Sequence, residues 1–388
     1  MEQDLSGSAP LNLHHVVPRI QDEASGPSYS VPRLCKELYM LGNQVTLHVL
    51  SSEGCDRNCA VPLQTYRPLR FLDVVGFSPG MKRGIWEASM RADVLHNHSL
   101  WMMPNIYPGT LPANASCKLV TSPRGTLARH ALSRSRWKKW IMWRLGQERV
   151  LKKTDFFHAT SESEYKDIRR LGYGQPVAII PNGVDLPDDL RDPRHSKMKR
   201  VLFLGRLHPI KGLENLCRAW ISIQDHYSDW EIHFTGPDEI GYLKSLENLV
   251  KKLGGRRIVF TGPKYGSDKS KAYFDADIYI LPSLTENFGM TVAEALAHGV
   301  PVVVSKGAPW EEVESRGCGW WVSSDEPSLA DCLHKTMSLS SAELCSMGQK
   351  GRHWMESDFS WHNIGKKMSD SYRWLLNGGD KPSWIRTD

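Results

Sequence analysis

The stretch LPSLTENFGMTVAEALAHG, residues 281–299, decides how the rest of the chain is read. An apolar strand ends at Pro282, a short polar loop carries Glu286, and a helix begins near Phe288 or Gly289 and holds Glu294. A helix that starts at the carboxyl end of a parallel strand presents unpaired backbone N–H groups and a partial positive charge, which together seat a phosphate. Gly289 lets a ligand approach the Phe288–Met290 backbone closely. A carboxylate repels a phosphate, so the partners of the two glutamates are hydroxyls, and a sugar nucleotide carries hydroxyls on both sides of its diphosphate. Glu294, in the helix, suits the ribose diol, and Glu286, in the loop, suits the sugar. A helix cap beside a surface glutamate is the plain alternative, and the residues alone leave both open.

Around this stretch, strand-like runs alternate with helical ones. RVLFLG (200–205), WEIHFTG (230–236), RIVFTG (257–262), ADIYILPS (276–283), VPVVVS (300–305) and GWWVSS (319–324) are separated by stretches of helical character. That alternation predicts a doubly wound parallel α/β domain over residues 200–361. A first domain of the same kind is expected over 11–183, from LNLHHVVP (11–18), VTLHVL (45–50), PLRFLD (68–73), ADVLHNH (92–98), KLVTSP (118–123), DFFHAT (155–160) and PVAIIPN (176–182). The polar, proline-rich residues 184–199 read as a linker, and the helical stretch at 362–378 is expected to pack back on the first domain. Two such domains facing each other leave a cleft, the usual place for a ligand.

Three further motifs lie at strand ends. In FLGRLHPIKGLENL (203–216), Arg206 and Lys211 follow a strand that ends in Gly205. Two cations there suit a diphosphate leaving group and could neutralise it in place of a metal as a glycosidic bond breaks, although a pair of solvated surface bases has the same pattern. Ser25, Gly26 and Pro27 follow the first strand, where Gly26 permits close backbone approach but Gly-Pro is also simply a turn. In VLHNHSLW (94–101), His98 is expected at a cleft edge; His96 and His98 have HxH spacing, with no third ligand at a suitable distance in sequence.

Metal binding is not expected elsewhere. Cys55 and Cys59 lack a partner pair, and Asp275-Ala-Asp277 sits at the start of a strand, where it reads as structural. The GxG at 317–319 is too short for a dinucleotide fingerprint. Composition agrees with a soluble two-domain protein: 388 residues, 40 % hydrophobic and 24 % charged. Collagen-like, disulfide-scaffold and disordered classes are excluded. Eight scattered cysteines fit reduced thiols in the cytoplasm. No apolar run is long enough to span a membrane, and the first residues have no leader pattern.

The net charge is +6, yet residues 129–153 hold nine basic residues and one acid. Here SRSRWKKWIMWRLGQERVLKK (133–153) mixes bases with Trp137, Trp140 and Ile141 at the spacing of one helical face. A basic amphipathic helix with tryptophans suits an anionic membrane surface. A scaffold helix with its tryptophans turned inward is the alternative, and nucleic acid is not expected because no recognition fold accompanies the charge.

Taken in order, these motifs resemble glycosyltransferase family 4, of the GT-B fold. Glu286 and Glu294 match its E-x7-E motif, Arg206 and Lys211 its GR-x-x-x-x-KG pair, Ser25-Gly26-Pro27 its N-domain glycine-rich loop, and His98 its H-x-H-x-LW histidine. PRGTLARHAL (123–132), PNGVD (181–185) and APW…GCGWWV (308–322) resemble the subgroup that builds bacterial surface polysaccharides. Serine at position 25, where the family usually has glycine, is a departure in the loop.

The resemblance implies retaining, metal-independent hexosyl transfer from a nucleotide diphosphate sugar, with no cofactor, to a lipid-linked or free glycan acceptor. The setting it implies is O-antigen, capsule or exopolysaccharide assembly, in a cytoplasmic protein held peripherally at the inner face of the plasma membrane. His98, Arg206, Lys211 and Glu286 would carry the chemistry. Gly26, Phe288, Gly289, Met290 and Glu294 would hold the donor, with its base read by backbone near residues 259–266. Arg124, Trp137, Lys138, Lys139 and Trp140 would face the acceptor and membrane. A catalytically silent GT-B subunit and a sugar-nucleotide epimerase of the same fold stay open.

Overall fold

The computed structural model describes residues 9–20, 26–51, 60–133, 136–189 and 198–388. Ser25, Cys55, Cys59 and positions 190–197 lie outside the described residues. The chain divides into two compact units, Met1–Gly183 with Trp361–Asp388, and Val184–Ser360.

The first unit contains β1 (Asn12–Val16), β2 (Gln44–Leu50), β3 (Leu63–Tyr66), β4 (Val94–His98), β5 (Lys118–Ser122), β6 (Phe156–Ala159) and β7 (Val177–Ile179). The second contains β8 (Lys199–Leu204), β9 (Trp230–Thr235), β10 (Ile258–Gly262), β11 (Ile278–Leu281), β12 (Val302–Ser305) and β13 (Gly319–Val322). A last short strand, β14 (Ile385–Arg386), returns to the first unit. The sheet orders are β14-β7-β6-β5-β4-β1-β2-β3 and β10-β9-β8-β11-β12-β13. Every described pairing is parallel except β14 on β7. These are two doubly wound α/β sheets, as the alternation of strands and helices predicts. The central strands β4, β11 and β12 are buried along their whole length, because helices cover both faces of a parallel sheet.

Two local expectations are corrected. PLRFLD does not form a strand: the edge strand is Leu63–Tyr66, and Arg70–Val75 is a 3-10 helix. Phe71 and Val74 of that helix are 82 % and 88 % exposed, so an apolar pattern there does not mark a buried strand. β14 is two residues long, too short for any periodicity to announce it.

Val184, inside the stretch read as a linker, is buried in the core of the second unit. Arg352 donates to the carbonyls of Pro187 and Asp189 and so ties that stretch to the same unit. The helix Trp361–Asn377 packs on the helix Gly26–Met40 of the first unit.

Candidate active site

In the second unit, the loops after β8 and β11 meet. The short turn Pro209–Lys211 follows β8, and Gly212 (φ 67, ψ 24) ends it in the left-handed region. A Cβ on Gly212 would lie 2.3 Å from the Pro282 carbonyl oxygen, so only glycine lets the two loops touch. Gly212→Ala is therefore expected to cost about 2–4 kcal/mol, from backbone strain plus overpacking. A thermal unfolding midpoint unchanged from the parent would contradict the contact.

That contact puts Lys211 beside Glu286. The Lys211 Nζ and Glu286 Oε1 form an ion pair, with side chains only 16 % and 15 % exposed. Ser283 Oγ donates to the same carboxylate oxygen at 2.9 Å, and the Glu286 N–H donates to the Gly307 carbonyl at 2.7 Å. The helix proper is Met290–Ala297, with Gly289 (φ 83) as its N-cap. Phe288 is buried against Trp310, whose indole N–H donates to the Phe288 carbonyl. The Phe288 side chain thus holds the turn from below, and Met290 beyond it is half-buried.

The other two expected donor residues sit differently. Arg206 is half-exposed and pairs with Glu239 at 3.3 Å. Glu294 is buried, and both its oxygens are engaged: Lys269 Nζ at 2.6 Å and the Tyr273 hydroxyl at 2.8 Å. A carboxylate retains further lone pairs, so a ribose hydroxyl would join these partners rather than replace them. Lys269, Tyr273, Ser283 and Glu239 were not legible in the sequence, since each reads there as an ordinary surface or helix residue. Asp275 and Asp277 bind Arg200 at the amino ends of β8 and β11, away from Glu286.

In the first unit, the carboxyl ends of β1, β4, β5 and β6 bring together histidines far apart in sequence. His158 Nε2 lies 2.9 Å from the Ile180 carbonyl, which can only accept, so that nitrogen carries the proton. His158 Nδ1 then accepts from the Ser122 hydroxyl at 2.7 Å. Ser122 in turn accepts from His96 Nε2 at 2.9 Å, and His96 Nδ1 accepts from the Tyr372 hydroxyl at 2.6 Å. A second chain starts at Arg124, which donates to His98 Nδ1 at 3.3 Å. His98 Nε2 then donates to His15 Nδ1 at 2.9 Å, and His15 Nε2 has no partner among the described residues. With the Ile180 carbonyl accepting from His158 and Arg124 donating to His98, the neutral form of every imidazole satisfies these chains.

Electrostatics agrees with this proton count. Burial, then the neighbouring His14, Arg124 and His48, holds His15 down to about 3. Burial does the same for His48 and His158, and it pushes His96 and His98 well below the ordinary value. Arg124 is lowered to about 10 by burial, opposed by Glu164.

Three corrections follow. A third histidine does stand by the HxH pair: His15, on the strand next to β4, brings a ring nitrogen within 4.8 Å of those of His96 and His98. The donor chemistry nevertheless does not fit an ion. His98 Nδ1 must accept from Arg124, so its Nε2 is protonated, and both nitrogens of His96 are already used. His98 is also fully buried with both ring nitrogens engaged, rather than standing at an exposed edge. Arg124 does not join the basic surface: its guanidinium turns inward to His98 and Asn182. Gly26 is the exposed first residue of its helix, with open space around it.

Three of the four non-glycine residues with positive φ among the described residues lie in this part of the first unit, the fourth being Arg257. Ser99 (φ 70), Trp101 (φ 77) and Arg124 (φ 56) occupy the left-handed region without being glycine. Such residues persist where surrounding structure over-determines them, typically at binding sites.

Residues 133–153 are not one helix. The segment runs as Arg136–Met142, a π-helical turn Trp143–Gln147, and Glu148–Lys153. Trp137 and Trp140 are each 65 % exposed, so neither packs inward. Lys138 is exposed over the Trp137 ring, and Lys139 donates to the Ala131 carbonyl.

Comparison with known proteins places this geometry. A model described as "Glycosyl transferases group 1" matches residues 198–338, and one described as "Glycosyltransferase Family 4" matches residues 24–187. A D-inositol 3-phosphate glycosyltransferase of Corynebacterium urealyticum is 26 % identical over 60 % of this chain and 59 % of its own length. An uncharacterised glycosyltransferase of Methanocaldococcus jannaschii is 33 % identical over 45 % of each chain. The chain thus spans about half the length of the curated relatives it matches. In fold, it is similar to sucrose-phosphate synthase from Thermosynechococcus elongatus, with TM-score 0.77, 19 % identity and coverage of 95 % of this chain and 99 % of that one. It is likewise similar to WaaG, with TM-score 0.68, 16 % identity and coverage of 95 % and 100 %. With the two family matches together taking in most of its residues, the chain belongs to the group 1, family 4 glycosyltransferases and has their GT-B fold.

Proposed function

We propose that this protein is a retaining, metal-independent glycosyltransferase. It moves a hexosyl group from a nucleotide diphosphate sugar to a lipid-linked or free glycan acceptor in bacterial O-antigen, capsule or exopolysaccharide assembly. The reading rests on one observation: Lys211, Glu286 and the start of the helix Met290–Ala297 stand together at the carboxyl ends of β8 and β11. Lys211 and the helix start stabilise the leaving diphosphate as the glycosidic bond lengthens, and Arg206 adds charge from the rim. Glu286 and Glu294 accept hydroxyls of the sugar and the ribose. Attack comes from the face the diphosphate leaves, and a departing phosphate oxygen takes the acceptor proton, so no protein nucleophile is needed. His98 enters through Arg124, whose guanidinium it orients.

The protein works peripherally at the inner face of the plasma membrane. Supporting this, Ile141 and Leu145 are exposed beside Lys138 and Arg144, and no helix among the described residues is long and apolar enough to cross a membrane. A thermal-shift panel of UDP, GDP, dTDP, ADP and CMP compounds with EDTA present tests the donor site, because a ligand of the native state raises its stability. One nucleoside diphosphate series is expected to raise the midpoint, with the shift lost in Arg206→Ala and Glu294→Ala. Silence from every nucleotide would overturn the assignment.

A further inference from the structure

Trp101, three residues past His98, opens a groove in the first unit that the donor chemistry does not use. It is an open groove of about 630 Å³, lined by the indoles of Trp101, Trp137, Trp140 and Trp143 with Leu132, Arg136 and Lys139. The charged side chains lining it are both cationic. The indoles of Trp101 and Trp143 stack at 6.1 Å, and Lys139 Nζ lies 5.8 Å from the centre of the Trp101 ring.

This groove is built rather than incidental. Trp101 is held in its left-handed backbone by the buried Gln147, whose side-chain oxygen accepts the Trp101 N–H at 3.0 Å. Gln147 closes the π-helical turn that also carries Trp143, and such turns occur frequently at functional sites. The Trp101 indole N–H reaches the Thr126 carbonyl at 3.3 Å, two residues beyond Arg124. Trp101 thus ties the groove, formed otherwise by Leu132 and residues 136–143, to the segments that carry His98 and Arg124.

We propose that this groove is a carbohydrate subsite for an anionic glycan, the sugar end of the acceptor. The inference rests on the glycosyltransferase reading above and gives that acceptor a charge. Flat indole faces take the C–H faces of sugar rings, and Arg136 and Lys139 take a carboxylate or phosphate carried on them. The two cations complement the charge of such a glycan, and Trp101, three residues past His98, gives the groove a continuity with that strand end that favours the glycan over a membrane surface. The exposed aliphatic side chains Ile141 and Leu145 lie outside the groove lining, where Leu132 is the one aliphatic residue among the described residues.

Calorimetric titration of the full chain with tetragalacturonate, cellotetraose and phosphatidylglycerol vesicles tests the proposal. The acidic tetrasaccharide is expected to bind saturably, and the neutral one at least about tenfold more weakly. Trp140→Ala and Arg136→Ala, both at exposed positions, should each weaken the acidic sugar about tenfold while leaving the nucleotide-induced thermal shift unchanged. Ile141→Asp with Leu145→Asp should leave sugar binding intact. No saturable heat with the acidic sugar, in protein that still responds to nucleotide, overturns the proposal. So does vesicle binding that depends on Trp140 when neither sugar binds, which would make the groove a membrane contact. Sugar binding without any nucleotide response would support the groove and overturn the donor reading instead.

Discussion

Lys211→Ala lowers the turnover of sugar transfer about 10²- to 10³-fold, the scale lost when one preorganised donor to a developing anion is removed. Lys211 is mostly sheltered from water and already held by Glu286, so it needs little reorganisation when the diphosphate departs. Arg206 is half-exposed and paired with Glu239 at the rim, so Arg206→Ala should cost less, on the order of tenfold.

Glu286→Gln separates the two roles of the pair. Neutralising that carboxylate removes a repulsion from the place where the diphosphate sits, so the free nucleoside diphosphate should bind more tightly. Turnover should still fall, because the sugar loses its acceptor. Steady-state kinetics with nucleotide inhibition measures both. If Lys211→Ala kept turnover within about threefold of the parent, the lysine would be holding Glu286 and not the leaving group.

The second large effect is on stability in mild acid. Five buried histidines are depressed: His15, His48 and His158 to about 3, and His96 and His98 well below their ordinary value. Burial is the main cause in each. Arg124 faces His98, and Ser122 and Tyr372 hold His96, all in neutral hydrogen-bond chains. Once unfolded, these histidines titrate near 6.5. Between that value and about 3 the unfolded chain therefore binds protons that the folded chain refuses.

Stability is thus complete above about pH 6.5 and is lost as the pH falls through this window. Each histidine that stays neutral in the folded chain adds up to about 1.4 kcal/mol per pH unit to that loss. Against a total stability of about 5–15 kcal/mol, a loss shared by several histidines is large. The unfolding midpoint should fall steeply between pH 6.5 and 5, ahead of most carboxylate titration. A midpoint flat across that range would mean that these histidines hold the same protons in the folded and the unfolded chain, and would overturn the prediction.

Much of the fold was legible in the sequence because its cause is local. Runs such as VVVS and IYIL are apolar or strand-forming along nearly their whole length, and helical stretches separate them, so parallel sheets follow from alternation. Lys211 and Glu286 were legible for the same reason: each follows directly on a strand, and strand ends in a parallel sheet collect at one edge. The edge segments were not legible. Arg70–Val75 carries an apolar pattern without burial, and β14 is set by the partner it returns to rather than by its own residues.

Tertiary structure alone decided which partners these residues have. Spacing gives no sign that Lys211 pairs with Glu286 across the Gly212–Pro282 contact, or that Lys269 and Tyr273 occupy Glu294. Nor does it show that His15 sits beside His98, or that Tyr372, from the C-terminal helix, meets His96. The physical reason is range. Backbone propensity and hydrophobic period act over a few residues and are written in the chain. A hydrogen bond or ion pair between residues 75 or 276 positions apart exists only once sheet order has brought their strands and helices together.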